Sequence, residues 1–161
     1  MQWNPEQEHT IAEAEMRLKA GEPVAIPTET VYGLAAPFQH VDAIEEVFRK
    51  KKRPSDNPLI VHICDWKQLE DICIDIPQGL EEKIKAFWPG PLSIVLNANV
   101  DRVPAIVRAG LDTVAVRMPK HPLTLELIQR CGPLVAPSAN KSGYPSPTKA
   151  KHILHDYDSK V

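Results

Sequence analysis

Val24-Ala25-Ile26-Pro27-Thr28-Glu29-Thr30-Val31-Tyr32-Gly33-Leu34 is the stretch on which the fold of this chain turns. A short apolar run delivers the backbone to a proline, and two threonines then flank a glutamate ahead of Tyr32-Gly33. Proline fixes φ and removes a donor, while glycine admits backbone angles that other residues avoid. The apolar residues read as a strand, and residues 27–33 as a turn offering hydroxyls and backbone N–H groups at the strand end. In α/β folds that is where small-molecule sites are built. The same segment also reads as a bend whose threonines satisfy local backbone groups, so its meaning depends on its surroundings.

Upstream, Asn4-Pro5-Glu6-Gln7 has the form of a helix start, with Asn4 as cap, Pro5 at the first helical position and Gln7 completing a capping box. Ile11, Ala14 and Leu18 then recur at helical spacing, and Gly21 with Pro23 ends the helix. Downstream, a helix is expected from about Asp42 to Lys52 with Ile44, Val47 and Phe48 inward. Pro58–Ile63 reads as a strand apolar on both faces except at His62, and helical segments over 66–73 and 78–87 come next. Residues 92–96 form another strand, and a polar connection with an apolar patch at 103–107 leads to Thr113-Val114-Ala115-Val116-Arg117. Alternation there puts Thr113, Ala115 and Arg117 on one face of the sheet. A helix over 123–130, a short strand at Leu134-Val135-Ala136 and a last helix from Lys149 to about Tyr157 complete the chain. Strands alternating with helices argue an α/β domain with a partly parallel sheet.

Two further polar clusters stand at element ends. The helix over 42–52 runs into five consecutive cations, Arg49-Lys50-Lys51-Lys52-Arg53, before Pro54 blocks extension. Cations in a last helical turn complement the macrodipole. Five in a row repel one another beyond that need, and Arg and Lys bind phosphate readily. Pro137-Ser138-Ala139-Asn140-Lys141-Ser142-Gly143 is rich in turn formers and can aim side-chain and backbone donors at an anion. The clusters at 27–34, 50–58 and 136–146 are expected to converge on one cleft.

Composition sets outer bounds. The chain has 161 residues, 43% hydrophobic and 25% charged, which suits one soluble domain. Its 16 prolines, about twice the usual share, are scattered and read as loop corners and strand edges. A net charge of −2 gives no bulk attraction for nucleic acid, so any polyanion site must be local. Three cysteines, Cys64, Cys73 and Cys131, lack metal-binding spacing and suggest a reducing, cytoplasmic setting. No apolar run approaches the roughly 18 residues of a membrane span.

PTETVYGLAA, KKRPSDNPL, WPGPLSIVL, TVAVRMP and APSANKSGYPSPT occur in this order. Together, over roughly residues 10–155, they resemble the YrdC-type threonylcarbamoyl-AMP synthase family. The Lys-x-Arg run with Ser-x-Asn is the most specific part. The resemblance implies an α/β fold, a twisted open mixed sheet with helices and a concave, positively charged cleft, in one domain over 1–161. It implies condensation of L-threonine, bicarbonate and ATP into L-threonylcarbamoyl-AMP and pyrophosphate. A downstream threonylcarbamoyl transferase complex would then modify position 37 of tRNA. Thr30, His62, Arg117 and the backbone of Ala136 are implied for L-threonine, with Arg117 on its carboxylate. Lys51, Arg53, Asn57, Thr113, Ser138, Asn140 and Ser146 are implied for ATP, and Lys51, Arg53, Ser138 and Asn140 as the catalytic set. Mg²⁺ is expected with ATP, although no pair of carboxylates announces a cage. No protein ligand is named; Glu29 is a candidate at most, and bracing the turn suits it better.

The family pattern continues past this point with a Ser/Thr-Thr-Val/Ile segment and a later arginine-containing loop. The expectation is therefore a piece lacking its C-terminal segment and weakly active or inactive. Two other readings stand beside the enzyme. One is a module that binds tRNA or double-stranded RNA through the 49–53 run, against which stand the near-neutral charge and the lack of paired aromatics for stacking. The other is the carbamoyl-transfer domain of a larger maturation protein.

Overall fold

The computed structural model describes residues 5–52, 54 and 56–157. Helix α1 spans Pro5–Lys19, and Ile11 and Leu18 are fully buried on its inner side. Asn4, the expected cap, lies outside the described residues. Gly21 adopts φ 79°, donates to Leu18 O at 3.0 Å, and lets Glu22 N reach Arg17 O at 2.9 Å. That left-handed close satisfies carbonyls the helix end would otherwise leave open.

Strand β1, Val24–Ile26, pairs antiparallel with β2, Gly33–Pro37, in the register Ile26↔Gly33. The stretch Val24–Leu34 is thus a hairpin whose long connection, 27–32, projects from the sheet. Strand β2 carries no signal of its own in the sequence. Gly-Leu-Ala-Ala-Pro has weak β propensity, and pairing on both sides makes it a strand.

The sheet has the order β1-β2-β6-β3-β5-β4, with β3 at Ile60–His62, β4 at Ser93–Asn97, β5 at Thr113–Arg117 and β6 at Leu134–Val135. Only β3 and β5 run parallel, with His62 beside Arg117; the other neighbouring pairs are antiparallel. The expected mixed sheet is present, with a smaller parallel share than the alternation suggested.

Helix α2, Val41–Lys51, is capped by His40 Nδ1, which accepts from Ala43 N at 3.2 Å. It buries Ile44, Val47 and Phe48 as expected. Helix α3, Trp66–Ile72, is capped by Asp65, whose Oδ1 accepts from Gln68 N at 2.8 Å. Helix α4 is shorter than expected, Leu80–Ile84, because Phe87 N and Trp88 N both turn back to Ile84 O. The apolar patch after β4 proves to be a one-turn helix, α5, Ala105–Arg108. Helices α6, Pro122–Cys131, and α7, Ala150–Tyr157, lie where the sequence puts them.

Helices α1 and α6 cover one face of the β1-β2-β6 half, with Ile11, Leu18, Leu127 and Ile128 against Ile26, Ala35 and Leu134. Burying each such side chain stabilises by about 1.5–3 kcal/mol. The larger cluster lies on the opposite face, where Leu34, Ala36, Val61, Val116 and Val135 meet α2, α3 and α7. The face carrying Thr113, Ala115 and Arg117 stays half-open, and Val95 beside Ala115 is 65% exposed. A hollow therefore begins where the cover of α1 and α6 stops. No helix of the described residues is long and apolar enough to cross a membrane.

Candidate functional site

The 27–32 connection is held from inside and outside. Thr28 Oγ1 accepts from Thr30 N and Val31 N, both at 3.2 Å, and donates to Val31 O at 2.6 Å. Thr28 thus performs the local backbone role, leaving Thr30 at the exposed bend. Thr124 of α6, fully buried, donates its hydroxyl to Pro27 O. Glu29 turns toward the sheet, where its carboxylate accepts from Arg117 Nη2 and from Lys120 N at 3.0 Å. Burial alone would raise the Glu29 carboxyl, but donation from Arg117 and backbone N–H groups prevails and holds it below the ordinary carboxylate range. Glu29 is a brace.

Arg117, the last residue of β5, is fixed from three sides. Nε donates to Gly90 O at 3.2 Å, and Nη2 reaches Thr30 Oγ1 at 3.3 Å as well as Glu29. Nη1 makes no hydrogen bond within the described residues. His62, beside Arg117 on β3, is 3% exposed, and its Nδ1 finds no partner among the described residues. Burial, assisted by the positive charge of Arg117, pushes the imidazole down to about 4. At neutral pH His62 is therefore an uncharged ring.

A cavity of about 330 Å³ opens here, lined by Thr30, His62, Arg117 and Ala136, the four residues implied for one ligand, together with Asn57 and Ser138. Gly33 is part of the same wall, and a Cβ on it would lie 3.0 Å from Ala136 Cβ and 3.1 Å from Ala136 O. Gly33 is not among the residues that sequence reasoning singles out for the site. Its signal is the missing side chain at a strand start.

The three polar clusters do converge. Leu34 N donates to Pro137 O at 2.8 Å, Ala139 N to Tyr32 O at 2.7 Å and Tyr32 N to Pro147 O at 2.9 Å, joining 27–34 to 136–147. Lys51 joins the third cluster, as its ammonium donates to the carbonyls of Ser138 and Asn140. The remaining candidates are more dispersed. Asn140 is 8% exposed and donates through Nδ2 to Lys141 O at 3.0 Å and Tyr144 O at 2.8 Å, leaving Oδ1 buried without a partner among the described residues. Thr113 shares the face of Arg117 but lies about 13 Å further along β5. Ser146 is exposed, just before buried Pro147. Arg53 lies outside the described residues.

The basic run is not a uniform patch. Arg49 forms a fork with Glu46, Lys50 stands 3.6 Å from Glu46, and Lys51 is 2% exposed. Lys52 adopts the left-handed conformation, φ 51°, as the cap of α2. Charge on neighbouring residues is thus spent in different directions, which contiguity in sequence conceals. All three cysteines are free, and burial lifts the Cys64 thiol to about 11 and that of Cys73 to about 12. Neither is a thiolate at neutral pH.

The Sua5/YciO/YrdC family model, described as telomere recombination, matches residues 16–161. The chain is 52% identical over 152 residues to the threonylcarbamoyl-AMP synthase of Bacillus subtilis (strain 168), covering 94% of this chain and 44% of that protein. Identity to the threonylcarbamoyl-AMP synthase of Pyrococcus abyssi (strain GE5 / Orsay) is 49% over 145 residues, 89% of this chain and 42% of that one. The crystal structure of P. abyssi Sua5 complexed with L-threonine matches with a TM-score of 0.91 at 48% identity, over 96% of this chain and 45% of that chain. The chain spans less than half the length of these relatives. Motif order, six-stranded sheet and sequence identity agree: this chain belongs to the Sua5/YciO/YrdC family.

Proposed function

We propose that this chain carries the substrate cleft of a threonylcarbamoyl-AMP synthase, and that its cavity takes L-threonine. The observation that supports this most is the placement of Arg117 in a small hollow beside a neutral His62, between Thr30 and Ala136. A guanidinium fixed by Glu29 and Gly90 offers its remaining edge to an α-carboxylate, a task lysine performs less well. The Thr30 hydroxyl and the uncharged His62 ring supply polar partners that do not repel an ammonium.

The chemistry needs no nucleophilic side chain. The threonine amine combines with bicarbonate, losing water, to give a carbamate. A carbamate oxygen attacks the α-phosphorus of ATP, and pyrophosphate leaves with the bond it breaks. Charge grows on the phosphate oxygens, so the protein contributes positioning and fixed donors. Arg53, Asn57, Thr113, Ser138, Asn140 and Ser146 are the residues for the nucleotide. The span of about 13 Å from Arg117 to Thr113 along the open face suits an amino acid and a nucleotide laid end to end.

Mg²⁺ finds no cage among the described residues. Among the described residues no three His, Cys, Asp or Glu side chains group to hold a metal, and Glu29 is committed to Arg117 and Lys120. The ion accompanies ATP as part of the substrate. A cytoplasmic setting, a downstream threonylcarbamoyl transferase and tRNA as final acceptor belong to the same proposal.

Pyrophosphate release from ATP tests the reading. It is expected to require both L-threonine and bicarbonate, and Arg53→Ala should slow it without lowering the melting temperature. ATP turnover indifferent to threonine would overturn it. So would the absence of turnover together with salt-sensitive RNA binding, the outcome for an RNA-binding module.

A further inference from the structure

Lys51 stands in the most phosphate-like motif of the sequence, yet its surroundings are those of a strut. It is the last residue of α2 and 2% exposed. Its ammonium donates to the carbonyls of Ser138 and Asn140, and its own carbonyl accepts from Ser142 N at 2.9 Å. One residue thus grips every second residue of the 138–142 loop, using both its charge and a carbonyl that the helix end leaves open. Ser138 lines the cavity and bridges to Gly33, whereas Lys51 is absent from the cavity lining. These contacts lead from Lys51 to the hollow through the loop.

We propose that Lys51 is a positioning residue, holding the 138–142 loop so that Ala136 and Ser138 form the wall of the cavity, and that it is not a phosphate ligand. The inference rests on the reading of that cavity as the threonine site. Bonds from an ammonium to carbonyl oxygens are stronger than neutral ones, and a side chain buried to this degree gives them up only if the loop moves. Two of the ammonium's three donors are committed to carbonyls, and turning the group over to phosphate would leave those carbonyls without a shared buried donor, which is unfavourable.

Two measurements decide it. In the first, L-threonine binding is measured by calorimetry without ATP, for the unaltered chain and for Lys51→Met. The strut predicts a loss on the order of ten- to a hundred-fold in threonine affinity, because the wall is misplaced. A phosphate ligand predicts unchanged affinity, and that result would overturn the proposal. Partial recovery in Lys51→Arg, which keeps a charged donor, is expected. Threonine binding by neither chain would refute the threonine site instead, so the two failures are distinguishable.

The second measurement needs no substitution and stands whether or not threonine binds. The unaltered chain is treated with an amine-acylating reagent, with and without ATP, and modification of each lysine is read by mass spectrometry. Lys51 is expected to stay unmodified in both, while exposed Lys52 reacts. Modification of Lys51 that ATP suppresses would contradict the strut.

Discussion

Arg117 lines the cavity and Lys51 lies behind its 138–142 wall, and the surroundings of these two cations are opposite. Arg117 sits at the end of a strand, keeps one edge toward the cavity, and is held by a carboxylate, a carbonyl and a hydroxyl. Lys51 sits at the end of a helix inside a run of five cations and turns its charge inward to two backbone carbonyls. On the proposed reading, the isolated cation is the one offered to a ligand, and the member of the conspicuous run builds the wall. Charge density in a sequence is therefore a poor guide to charge available at a site, because each side chain is disposed by its own backbone direction.

Replacing Arg117 breaks this contrast most severely. Arg117→Ala is expected to reduce L-threonine affinity on the order of a hundred-fold, since it removes the charged partner of a desolvated carboxylate. Calorimetry reads the loss, and Arg117→Lys should recover only part of it.

His62 gives the next effect, through pH. Its folded pKa of about 4 lies below the ordinary value of 6.5, so between those values the unfolded chain holds a proton that the folded chain does not. Stability must therefore fall as pH drops through that window, by roughly 3 kcal/mol in all. Denaturant titrations at pH 7 and pH 4.5 should show the drop, and His62→Gln should flatten it. His121, also held low by burial, adds in the same direction. Glu29 acts at lower pH, because its depressed carboxyl contributes stability that is present above the ordinary carboxylate pKa and lost as pH falls below it.

Gly33→Val sharpens the comparison at the wall itself. The new side chain meets Ala136 inside ordinary contact distance, at a cost of about 1–3 kcal/mol by overpacking. Threonine binding should fall with it, a loss that calorimetry reads. Thr124→Val removes the hydroxyl that holds Pro27 O and should cost about 1–2 kcal/mol in thermal or denaturant unfolding, with a smaller effect on binding. Arg49→Ala, on an exposed fork with Glu46, should change stability by no more than about 0.5 kcal/mol and leave threonine affinity intact.

The turn after β1, α2, β3, β5 and α6 were legible because each carries a strong period, a cap or turn-forming residues, and the alternation in 113–117 placed Arg117 on one face with Thr113 and Ala115. The convergence of the three polar clusters was legible from their positions at element ends. Strand β2 was not, since small residues in a strand announce nothing until partners flank them. Helix α5 is one turn long, too short for a period to show. The burial of Lys51 was hidden because a run of cations reads as a solvated surface, and only the returning 138–142 loop reveals the carbonyls it serves. Gly33 as a wall likewise depends on Ala136, more than a hundred residues away in sequence.

The most direct test is a crystal structure of the chain soaked with L-threonine. The carboxylate is expected on the guanidinium of Arg117, with Thr30 and His62 in hydrogen-bonding reach and Lys51 still on the carbonyls of Ser138 and Asn140. Threonine bound elsewhere, with Arg117 holding only Glu29, Thr30 and Gly90, would contradict the account.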